Sequence, residues 1–64
     1  MRPTPPTPET IIATRKALRL TTADAAQSIG VVWTLWESWE RGAPMPSHDW
    51  RAFCEKHNVP VDDQ

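Results

Sequence analysis

Helix-breaking residues divide this chain into short pieces, and that punctuation limits what it can fold into. Prolines stand at positions 3, 5, 6, 8, 44, 46 and 60, and the two glycines at 30 and 42. Proline fixes φ and lacks a backbone donor, so the first seven residues are expected to form an extended, polyproline-like or mobile arm. The arm holds two overlapping PxxP spacings, Pro3 with Pro6 and Pro5 with Pro8, a pattern common in Pro-rich tails. We read it as a leader and not as a ligand.

Between the breakers the signals are helical. Thr7-Pro8-Glu9 offers a hydroxyl cap, a proline for the first turn and an acid beside it. The first helix is then expected from Thr10 to about Leu18, with Ile11 and Leu18 on one face, Arg15 between them, and Arg19 and Leu20 closing it. Thr21 with Asp24 nearly matches a capping box. It opens a short helix whose small apolar face is Ala23, Ala25, Ala26 and Ile29, ended by Gly30 in a left-handed turn. A third helix is expected from Trp33 to Arg41, with Trp36 and Trp39 facing inward and Gly42 ending it. Ala43 to Pro46 reads as a connector. Ser47 is expected to cap a fourth helix, with Asp49 in its first turn and Trp50, Phe53, Cys54 and His57 along one side. Asn58 and Pro60 stop it, and only Val59 to Val61 alternates as a strand would. The class is all-α: a compact four-helix bundle over residues 8–58, with the arm 1–7 before it and a short acidic tail 59–64 after it.

A chain of 64 residues buries only ~60% of the surface its unfolded form exposes. Two-domain enzymes and deep interlobe clefts are excluded. Four tryptophans compensate, since each indole can bury roughly 150–250 Å²; Trp36, Trp39 and Trp50 are expected in the core with Ile11, Leu18, Ala26, Ile29 and Phe53. The single cysteine cannot form an internal disulfide. No apolar run exceeds three residues, which argues against a membrane span or secretory signal and for a cytoplasmic protein.

Two short helices joined at a glycine, the first lined with alanines so that the second can cross it closely, form the helix-turn-helix pattern. Leu20-Thr21-Thr22-Ala23-Asp24-Ala25-Ala26-Gln27-Ser28-Ile29-Gly30-Val31, then Trp36, Trp39-Glu40 and Gly42, resemble the Cro/CI-type (XRE) helix-turn-helix family. Those residues match its leucine, cap, alanine, acid, alanine pair, turn glycine, "WE" pair and closing glycine. Met45, Trp50 and Phe53 suit its variant reading MxxxxWxxF, and the likeness spans about Thr10 to Phe53. It implies a lambda-repressor-like fold, without the fifth helix that many members place after the equivalent of Asn58. It also implies an ion pair from Arg15 to Glu40 that ties the first helix to the third. Minimal versions of this family are typical of phages and other mobile elements.

The resemblance further implies a DNA-binding transcriptional regulator, expected to be a repressor that binds a short inverted repeat in double-stranded DNA as a homodimer. The third helix would enter the major groove. Its expected contacts are Val32, Trp33, Thr34, Glu37 and Ser38, with Thr22, Arg41 and His48 near phosphates and Arg2 a candidate for the minor groove. The dimer contact is expected on the fourth helix and Val59 to Val61. Some roles stay open. Thr34-Leu35-Trp36-Glu37 is itself a T-x-x-E capping box, which would start the helix two residues later and turn Glu37 to the backbone. Trp33 could instead fold back over the turn into the core. The alternative function is a protein-binding module, a phage or host-factor inhibitor or adaptor, with Trp33 and Leu35 as its contact patch.

Charge bears on this choice. The net charge is -1, distributed as +3 over residues 1–20, -2 over 21–42 and -2 over 43–64. DNA affinity rests largely on phosphate neutralisation, so each subunit would depend on a few contacts. Cys54, His57 and His48 lack the paired spacing of structural zinc sites. No glycine-rich phosphate loop or paired carboxylates suggest an enzyme, and no metal or cofactor is expected.

Overall fold

A computed structural model describes residues 6–60; Met1 to Pro5 with Arg2, and the tail from Val61, lie outside the described residues. Four helices follow one another: α1 Pro8–Ala17, α2 Thr22–Ser28, α3 Trp33–Glu40 and α4 Ser47–Lys56. No strand occurs among the described residues. The fold is all-α.

The helix starts divide into two kinds. Thr7 caps α1 by accepting the Thr10 N–H at 3.2 Å. Thr21 and Asp24 form a complete capping box on α2: Thr21 Oγ1 accepts the Asp24 N–H at 3.0 Å, and the Asp24 carboxylate accepts the Thr21 N–H at 3.4 Å. The other two helices have no side-chain cap. Helix α3 begins after Val32, not at the Thr34 capping box, because the Val32 carbonyl already takes the N–H groups of Leu35 and Trp36. Glu37 is thereby released from the backbone. Helix α4 begins after Pro46, so Ser47 is its first residue and not its cap. The Pro46 carbonyl accepts from Asp49 and Trp50 at 3.1 Å, while Met45 just upstream is buried.

All four helices end alike. In each, the second residue past the cap donates to the carbonyl five residues back, and the residue before it closes a shorter loop, the pairing of a Schellman motif. The long bonds are Leu20 to Arg15, Val31 to Ala26, Ala43 to Ser38 and Val59 to Cys54, at 2.8–3.2 Å. Such an ending needs a left-handed residue, and Arg19, Gly30, Gly42 and Asn58 all have positive φ. Leu20, Val31 and Val59, which follow three of these turns, pack against the core. Those three reversals therefore also add a hydrophobic contact, whereas Ala43, which follows the turn after α3, is exposed.

The core comprises Ile11, Ala25, Ala26, Trp36, Trp39, Met45, Trp50, Phe53 and Cys54. Trp36 lies at its centre, 4.8 Å from the Phe53 ring and 5.7 Å from Trp39 in an edge-to-face arrangement. Leu18 and Ile29 are half-buried and pack on its rim. Ala23 is exposed, contrary to the apolar face expected for α2; it stands on the opposite side of the helix from Ala25, at the border of the buried stripe. Those two alanines have no exposed surface to speak of, which is what lets α3 lie close across α2. Met45 is the unexpected core member, since its Pro-flanked segment carries no periodic signal.

Candidate nucleic-acid interface

Helix α3 is held in place from one end. Arg15 on α1 donates from Nε to Glu40 Oε2 at 2.6 Å and from Nη2 to Oε1 at 3.2 Å, while its Nη1 donates to the Leu20 carbonyl at 2.9 Å. The Trp36 indole N–H adds a third bond to the same carboxylate, at 2.7 Å to Oε2. The side chains of Arg15 and Glu40 are 15% and 12% exposed. A paired, fork-like contact of this kind fixes direction as well as distance, so α1 dictates the angle at which α3 leaves the bundle. The resemblance implied the Arg15–Glu40 pair; nothing in it pointed to the indole or to the Leu20 carbonyl.

The opposite end and outer side of α3 face solvent. Val32, Trp33 and Leu35 are 66%, 52% and 40% exposed, and Thr34 is exposed as well. Trp33 does not fold back into the core. Beside it, Ala23, Gln27, Gly30, Val31, Val32, Trp33 and Thr34 line an open hollow of about 580 Å³. Ala23 follows Thr22 directly, so the starts of α2 and α3 border one depression. Gln27 is a wall of this hollow that sequence reasoning passed over.

The remaining site residues are spread around this edge. Ser38 is half-buried and its hydroxyl donates to the Leu35 carbonyl at 2.6 Å. Glu37 is half-buried and lies 4.0 Å from the Arg41 guanidinium, whose side chain is 82% exposed. Thr22 is half-buried in the first turn of α2, but the Asp24 carboxylate already occupies that helix end, which weakens it as a phosphate site. His48 sits in the first turn of α4, 3.5 Å from Asp49.

Residues set aside as chemical centres have structural positions. Cys54 is fully buried, and burial pushes its thiol above the ordinary range. His57 packs on Phe53 at 4.6 Å, and its Nε2 lies 3.1 Å from Ser28 Oγ. The Ser28 hydroxyl already donates to the Ala25 carbonyl at 2.7 Å, so the imidazole is the donor to it. Among the described residues no three His, Cys, Asp or Glu side chains gather as a metal site, and no helix is long and apolar enough to cross a membrane. No family model, curated protein or solved structure matches the chain.

Proposed function

We propose that this protein binds duplex DNA and regulates transcription, as a repressor that places α3 of each subunit of a homodimer in the major groove of a short inverted repeat. One observation carries the reading. Helix α3 is anchored through Glu40 and buried through Trp36 and Trp39, yet its first turn and outer side are left exposed. A helix that is fixed in angle and bare at its N-terminal end is what groove reading requires. Val32, Trp33, Thr34 and Ser38 would face the bases, with Arg41 at the phosphates and Thr22 and His48 as outlying contacts. The α4 side carrying Trp50, Phe53 and Cys54 is spent on the core, and Val59 packs there too, so a two-fold contact on α4 would use its outward side, where Ala52, Glu55 and Lys56 are exposed.

The exposed Val32, Trp33 and Leu35 patch favours a second reading, a protein-binding module centred on Trp33. Titrating the full chain with the DNA upstream of its own gene at low salt separates the two. A retarded complex that dissolves as salt rises supports the regulator. Absence of any complex at low salt contradicts it.

A further inference from the structure

The exposed stretch of α3 sits in an uncharged neighbourhood. None of the seven residues around the hollow is charged, and neither is any residue from Ala25 to Trp36. The flanking acids are turned elsewhere, Asp24 to the Thr21 N–H and Glu37 to Arg41. An occupant of this edge must therefore be neutral and largely apolar, with hydrogen-bonding groups for the exposed Gln27 amide and Thr34 hydroxyl. This chain's own edge meets each condition. The half-exposed Trp33 indole stands beside an open hollow of about 580 Å³, so a two-fold rotation can seat the indole of each copy in the hollow of the other. Gln27 and Thr34 both donate and accept, which lets each pair with its own counterpart across the axis, as an isologous contact requires. Gly30 keeps its part of the hollow clear, with nothing within 4 Å of the place its Cβ would take. We propose that the leading edge of α3 is a self-association surface, on which a second copy of this chain docks with Trp33 in the hollow.

The proposal names the partner for the protein-binding reading above and rests on it. A net charge of -1 leaves little repulsion between copies. The patch is smaller than the roughly 20–30 residues a side of a stable interface, so the pair is weak and forms at high concentration. A copy seated on this edge also keeps α3 out of the major groove, so self-association and duplex binding exclude each other.

The test is sedimentation equilibrium of the full chain without DNA, from micromolar to millimolar concentration, with backbone amide shifts followed over the same range. Wild type should pass from monomer to dimer, with shifts at Gln27 and from Val32 to Leu35. Trp33→Ala, its helical content checked by circular dichroism, should weaken the dimer by about 30-fold or more. Ala23→Glu and Ala23→Lys alter an exposed residue at the rim of the hollow; each alone should stay monomeric, while their equimolar mixture should dimerise. A wild type that is monomeric throughout overturns the proposal and leaves the protein-binding reading standing. A dimer unchanged by Trp33→Ala, or a mixture no tighter than either charged variant alone, also overturns it. Amide shifts lying wholly outside the patch overturn the protein-binding reading with it.

Discussion

Three donors converge on the Glu40 carboxylate, two from Arg15 and one from Trp36. Removing it leaves a largely buried guanidinium without its counter-charge and an indole N–H unpaired, at a cost of about 3–5 kcal/mol. That is comparable to the whole stability of a chain this size, roughly 3–10 kcal/mol. Glu40→Ala should therefore show a collapsed urea midpoint, while Glu9→Ala, which alters an exposed side chain, stays within about 0.5 kcal/mol of wild type. Equal losses would refute the anchoring role. Cys54 makes a different prediction. Burial raises its thiol above the ordinary value near 9.0, so its favourable contribution is complete below that pH and declines as pH rises through the raised folded value. Thermal unfolding followed from pH 7 to 10 should show an alkaline fall that is shallower in Cys54→Ala.

At the scale of elements, the helix ends carry the testable chemistry. Gly30 has φ +75 and nothing within 4 Å of the place a Cβ would take, so Gly30→Ala should cost about 1 kcal/mol through the backbone alone. Arg19 performs the same left-handed turn at φ 60 with a side chain that disfavours it. Arg19→Gly should accordingly raise the unfolding midpoint, by about 0.5–1 kcal/mol; an unchanged or lowered midpoint would contradict the strain. These positions also mark how much the sequence disclosed. Gly30, Gly42 and Asn58 were readable as helix ends because such residues favour positive φ, and Thr7 and Thr21 as caps because a hydroxyl precedes an acid or proline. Arg19 was readable as the close of the first helix but not as a left-handed residue, since that conformation accompanies Leu20 reaching the core. The start of α3 at Trp33 was legible, and the competing capping motif at Thr34 loses to the Val32 carbonyl; the start of α4 was misplaced by one residue at Ser47, where the Pro46 carbonyl and the burial of Met45 decide instead. Of the candidate interface, the anchor and the exposed helix were legible. The hollow with Gln27 was not, because it arises from two elements meeting.

Across the whole molecule, a near-neutral chain presents one anchored helix with an apolar leading edge and a cation behind it. Its positive share lies mainly in residues 1–20, so binding to a polyanion must rest on few charges and respond to each of them. The most direct test is the affinity of the full chain for its upstream duplex measured over a series of salt concentrations, with Arg41→Ala beside wild type. Wild type should bind at low salt and weaken steeply as salt rises, and Arg41→Ala should bind more weakly with a logarithmic salt slope smaller by about 1 per subunit. A folded wild-type chain that binds no duplex at low salt, or one whose affinity ignores salt, would contradict the account.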